Sequence, residues 1–125
     1  MGLLPVRLIG TTAADGTATI LSEASYNGKL FAVAWVDGTF EDGVDSVLSV
    51  TSTDSAVDYT LLTLTDANND AMYYPRVVVH SEAGAALTGT SGGDRAQPVI
   101  NGRLKLAITS GGVSKTGGAI VYLEV

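Results

Sequence analysis

Few residues in this chain are equipped for chemistry. His80 is the only histidine. It ends a Val77-Val78-Val79 run beside Ser81, so base and nucleophile types are adjacent. The Gly-x-Ser-x-Gly turn that would present such a serine is not in the sequence. With one histidine and no cysteine, one chain cannot form a two-histidine metal motif, a thiolate site or a disulfide framework. Asp66-Ala67-Asn68-Asn69-Asp70 opens like a calcium loop. That loop needs glycine at its sixth position and glutamate at its twelfth, and Ala71 and Val77 stand there. The segment therefore reads as a tight turn whose side chains bond nearby backbone, with a weak calcium site as the alternative.

The glycine-rich stretches fail as phosphate loops. Gly89-Thr90-Ser91-Gly92-Gly93 has no lysine, and Lys115-Thr116 follows Ser114 rather than a glycine. A strand, not a helix, is expected next, so the phosphate-binding context is wrong as well. Glu41, Asp42 and Asp45 lie within five residues of one turn. Glycoside hydrolysis needs two carboxylates facing across a cleft, whereas acids on one turn form a solvated rim. Trp35 and the Tyr73-Tyr74 pair offer ring faces for stacking on a sugar. Adjacent residues of a strand point to opposite faces, so one of the tyrosines belongs to the core and the other to the surface. The residues thus point to a non-enzyme, with no catalytic, cofactor or metal residue expected.

The elements that must carry these residues are short, β-branched and separated by glycine. No window of helical periodicity stands out. Strands are expected over Pro5–Ile9, Ala18–Glu23, Lys29–Val36, Val44–Thr51, Asp58–Thr65, Ala71–His80, Arg103–Thr109 and Ala119–Val125. Eight short strands with turn signals between them predict a β-sandwich of jelly-roll type. Asn27-Gly28 and Asn101-Gly102 have the composition of two-residue hairpin turns. Asp37-Gly38 and Asp42-Gly43 bracket a further turn, with Phe40 folded back onto the core edge.

Alternation assigns faces. Leu104, Leu106 and Ile108 share one side of their strand and Arg103, Lys105 and Thr109 the other. In the fifth strand Tyr59, Leu61 and Thr63 oppose Thr60, Leu62 and Leu64. In the last, Ala119, Val121, Leu123 and Val125 oppose Ile120, Tyr122 and Glu124. The stretch Leu30–Val36 is apolar on both faces. One face of an antiparallel sandwich normally meets water, so this strand is either covered by loops or part of a contact between molecules.

Composition bounds the rest. At 125 residues the chain suits one domain, residues 1–125. A short N-terminal arm and glycine-rich loops near 82–97 and 110–118 are expected outside the strands. Lys plus Arg number 7 against 13 Asp plus Glu, a net charge of −6. Such a surface disfavours nucleic acid, whose phosphates need a basic footprint. No apolar run is long enough for a membrane-spanning helix, and no secretory leader is apparent. Charged residues are only 16%, well under the usual quarter, which suggests that a partner covers part of the surface.

Several segments resemble a known class. These are Thr60–Asn68, Tyr73-Tyr74-Pro75-Arg76-Val77, Pro98-Val99 with Gly102-Arg103-Leu104-Lys105-Leu106, and Ser110-Gly111-Gly112 with Lys115-Thr116-Gly117. Together they look like small virion proteins of tailed bacteriophages, in particular head decoration or cement proteins encoded beside the capsid gene. The likeness spans roughly residues 58 to 125, with Trp35-Val36-Asp37-Gly38 compatible upstream. It implies a structural virion protein on the phage head surface, assembled in the host cytoplasm. Its partner would be the major capsid protein, and it would self-associate as a dimer or trimer. Candidate interface residues, chosen as exposed aromatic, apolar and arginine anchors, are Leu3, Leu4, Tyr73, Tyr74, Arg76, Asp94 and Arg95. Alternatives are a tail, neck or fibre module, or a carbohydrate-binding sandwich using Trp35 or a tyrosine as platform.

Overall fold

A computed structural model describes residues 2–52, 58–78 and 95–125. His80, Asp94 and residues 82–94 of the first glycine-rich loop lie outside the described residues. Ten strands follow in order: β1 (Leu3–Thr11), β2 (Ala18–Leu21), β3 (Tyr26–Val36), β4 (Asp45–Ser52), β5 (Asp58–Leu64), β6 (Ala71–Tyr73), β7 (Val77–Val78), β8 (Arg95–Ala96), β9 (Val99–Thr109) and β10 (Thr116–Glu124). Among the described residues eight of these strands form one antiparallel sheet, folded at a corner into two facing halves, sheet I and sheet II. Sheet I runs β1-β10-β3-β6, and sheet II runs β2-β9-β4-β5. That order, with the chain crossing between sheets from β1 to β2, β2 to β3, β3 to β4 and β5 to β6, is a jelly roll. The short ribbon β7–β8 is inserted between β6 and β9.

The sheets are continuous at one corner, where Tyr26–Lys29 of β3 pair with Val99–Gly102 of β9. Both Asn-Gly pairs sit here, inside strands rather than in hairpin turns, and Asn27 lies opposite Asn101. Close approach explains the glycines. A Cβ on Gly28 would collide with the Glu124 carbonyl oxygen, and one on Gly102, at φ +149°, with that of Thr51.

β2 and the start of β3 form one pass along β9, interrupted at Ser22–Ser25. Buried Ser22 stitches the interruption. Its N–H donates to the Leu104 carbonyl at 2.9 Å. Its Oγ donates to the Ala24 carbonyl at 2.7 Å and accepts from the Leu104 N–H at 3.0 Å. The Arg103 guanidinium caps the Ser22 carbonyl at 2.8 Å.

The core lies between the sheets. Leu8, Leu30, Val33, Trp35, Val121 and Leu123 come from sheet I. They meet Leu48, Val50, Leu104, Leu106 and Ile108 from sheet II. Each such side chain contributes on the order of 1.5–3 kcal/mol by leaving water. The alternation in β9 and β10 is as expected. In β5 it is not: the register against β4 shifts between Leu48 and Ser49, so that Leu62 faces Leu48 and Thr60 faces Ser49. Leu61 is the extra residue of this bulge, and Tyr59, Leu61 and Leu62 all pack on the core.

The expected strand Ala71–His80 breaks at Pro75, leaving β6 and β7 apart. Proline has no N–H for the ladder. Leu3 and Leu4, expected in an N-terminal arm, are already paired with Glu124 and Leu123 in β1. The second glycine-rich loop ends before Thr116, where β10 begins.

Candidate interaction face

The two outer faces of the sandwich differ in chemistry. Sheet II presents mainly Ser49, Thr51, Thr60, Thr63, Arg103 and Lys105, as a sheet facing water should, with Leu21 and Val47 as its exposed apolar members. Sheet I does not. Residues opposite one another in an antiparallel ladder share a face, so the register builds its outer surface row by row. The first row is Leu3, Glu124, Lys29 and Val99. The second is Pro5, Tyr122 and Ala32, and the third is Arg7, Ile120, Ala34 and Met72. A bulge between Tyr122 and Leu123 makes room for Phe31 in β3. That bulge explains how Leu30–Val36 reads as apolar on both sides. Leu30, Val33 and Trp35 enter the core, while Phe31 and Ala34 stay outside it and are only partly covered.

The segment after β6 lies along the edge of this face. Tyr73, opposite Val33, packs on the core. Tyr74 points away and is 56% exposed. It meets Phe31 edge-on, with ring centroids 6.3 Å apart at 87°, the favoured geometry for two aromatic quadrupoles. Arg76 Nη1 donates to the Phe31 carbonyl at 3.1 Å and to the Pro75 carbonyl at 2.8 Å. Arg76 therefore holds the segment on β3 and remains half-buried. Leu3 is 51% exposed and Val99 61%. They stand at the same end as Leu4 and Val125, which is tied to the start of β1 by its N–H to the Gly2 carbonyl at 3.3 Å. Gln97 anchors the return chain there, donating to the Leu30 carbonyl at 3.2 Å and to Glu124 Oε1 at 2.8 Å.

Of the interface candidates, the fold thus places Leu3 and Tyr74 at this surface, with Leu4 and Arg76 at its border. Arg95 is exposed in β8, opposite Val78. Phe31, Ile120 and Tyr122 were not among the candidates. The doubly apolar third strand and the Ile120–Tyr122 alternation were the signals that pointed to them.

Trp35 cannot serve as a sugar platform. It is 1% exposed, stacked on Phe40 at 5.7 Å and 26°, and its Nε1–H donates to the Ala67 carbonyl at 2.8 Å. Phe40 is folded into the core edge.

Carboxylates collect at the opposite end, on the loops. The Asp66–Asp70 turn is laced to the β3–β4 turn by side chain–backbone bonds. Asp45 Oδ1 accepts from the Asp66 N–H at 3.0 Å, Asn68 Oδ1 from Gly43 at 2.7 Å, and Asp70 Oδ1 from Asp37 at 2.8 Å. The turn residues therefore bond mainly the neighbouring turn. Desolvation, then the charges of Asp70 and Asp42, push the Asp37 carboxyl above its usual range, and its Oδ1 is buried without a hydrogen bond. Asp15 is held below the usual range by the Thr17 hydroxyl and N–H. Among the described residues, no three His, Asp or Glu side chains gather as metal ligands.

The molecule is thus polarised. The outer face of sheet I is largely apolar and carries Arg7, Lys29 and Glu124, while the loops at the far end carry Asp15, Asp37, Glu41, Asp42, Asp66 and Asp70. Compared with protein-family models, curated proteins and solved structures, the chain matches none.

Proposed function

We propose that the chain is a structural virion protein, a decoration or cement protein that binds the major capsid protein of a tailed-phage head and stabilises the shell. One observation supports this above others: a rigid jelly roll whose sheet I turns aromatic and aliphatic side chains outward, bordered by exposed Leu3, Leu4, Tyr74, Val99 and Val125. Contiguous exposed apolar surface of this kind marks contact sites. A molecule that works by adhesion needs rigidity and anchors rather than a reaction centre. Weak single contacts suffice when many copies occupy a closed lattice.

The test uses heads assembled from a tailed-phage major capsid protein, taken from the gene neighbouring this one if that gene encodes such a protein. The protein is expected to cosediment with them at a saturating copy number that tracks the capsid protein, and to raise the temperature at which they open. Tyr74→Ala and Leu4→Ser should each weaken binding by about tenfold or more, as expected for anchor positions. Absence of cosedimentation would overturn the reading. Saturation at only a few copies per particle would instead move the protein to the tail or neck.

A further inference from the structure

We propose that the outer face of sheet I pairs with a second copy of this chain, related by a two-fold axis that runs along the strands between β10 and β3. The inference gives this face a second copy of the chain as its occupant, so the capsid contacts of the proposed function then fall to the border residues Leu4, Tyr74 and Val125; the dimer is tested in free solution, without capsids.

The argument starts from the first row, Leu3–Glu124–Lys29–Val99. Its chemistry is a palindrome: apolar, acid, base, apolar. A two-fold between β10 and β3 lays each β10 over the β3 of the other copy. Glu124 then meets Lys29 of the second copy, and the same pair forms again by symmetry. Leu3 meets Val99 of the second copy at both margins. In the next rows Tyr122 covers Phe31, and Ile120 covers Ala34, both half-buried in the single chain. An isologous contact needs this self-complementarity. It occurs here without like charges facing each other in the first row, although the chain as a whole carries −6. The outer face of sheet II is mixed, with Arg103 and Lys105 alongside Asp45, Asp58, Leu21 and Val47.

Area agrees. Four strands of 9, 9, 11 and 3 residues, about 4.8 Å apart and rising about 3.3 Å per residue, make a face of roughly 500 Å² in projection. Its accessible area is larger, because side chains stand up from it. Standard interfaces bury about 800 Å² per partner, and smaller ones are weak or transient. The expected dimer is therefore of micromolar order, with the paired faces about 10 Å apart as in aligned sheet packing.

Sedimentation velocity of the intact protein between about 1 and 200 µM tests this, at low and at high salt. The expected result is a reversible monomer–dimer equilibrium that weakens with salt. Lys29→Glu and Glu124→Lys should each weaken it at least tenfold, because each places like charges together twice. Mixing the two variants should restore association, since a heterodimer then has two matched pairs. Circular dichroism and melting temperature confirm that both variants fold. Lys105→Glu, on sheet II, should leave the equilibrium unchanged. A protein monomeric at every concentration, a trimer, a dimer indifferent to Lys29→Glu, or variants that fail to complement each other would overturn the proposal.

Discussion

Replacing Trp35 by phenylalanine tests the core and the assignment of this residue together. The indole is almost fully buried, and its N–H donates to the Ala67 carbonyl at 2.8 Å. Ala67 is itself buried, and its N–H bonds to the Val44 carbonyl at 2.8 Å, so the loop is held and will not easily turn its carbonyl toward water. Phenylalanine leaves that carbonyl without its donor, at a cost of about 1–3 kcal/mol. It also vacates about 40 Å³, worth about 1 kcal/mol at ~24 cal/mol per Å³ of cavity. The sum is roughly 2–4 kcal/mol, a large part of a typical 5–15 kcal/mol stability. With a urea slope of about 1.5 kcal/mol per molar, the midpoint should fall by about 1.3–2.7 M, read by far-UV circular dichroism. Trp35 is the only tryptophan, so the native protein gives a second reading: blue-shifted emission protected from acrylamide. A midpoint shift under about 0.3 M, or a freely quenched native tryptophan, would refute the buried, hydrogen-bonded indole.

Four further outcomes follow from the geometry. Gly102→Ala forces a Cβ against the Thr51 carbonyl at a positive φ and should cost at least about 2 kcal/mol by chemical denaturation. Gly2→Ala, with open space around it, should be neutral. Ser22→Ala removes the oxygen that stitches the β2–β3 interruption to Leu104, and should cost about 1–3 kcal/mol without changing the circular dichroism spectrum. Asp37→Asn should raise the melting temperature at pH 7 but not at pH 3. The folded-state pKa of Asp37 is raised, so the folded protein binds the extra proton. The contribution of Asp37 to stability is therefore fully present below the ordinary carboxyl pKa and is lost as pH rises through the raised one. A gain from Asp37→Asn that persisted at pH 3 would refute that cause.

Much of the fold was readable because one-sided burial imposes a two-residue rhythm. Leu104, Leu106 and Ile108 against Arg103 and Lys105 placed β9, and the unbroken apolar run at Leu30–Val36 marked β3 as a strand with two covered sides. What misled was glycine and bulges. An Asn-Gly pair chosen for a turn and one chosen for close strand approach are identical in sequence, and only the neighbouring carbonyls of Thr51 and Glu124 separate them. Likewise nothing local announces that Leu61 is an extra residue, because the partner strand decides it. The interaction face was half legible. Tyr74 and Leu3 stood out by residue type, but Phe31, Tyr122 and Ile120 join them only through the register of strands far apart in sequence.

The pairing of Leu3 with Glu124 ties the first strand to the last. Sheet I is missing a central member until β10 has been synthesised, so β1 and β3 wait on the ribosome with no strand between them. Contacts of such long sequence separation form slowly, and the waiting chain exposes the same aliphatic strands that later line the interior. Synthesis rate and chaperone supply, more than final stability, should therefore govern how much soluble protein a cell recovers, and slower growth at lower temperature should improve that yield.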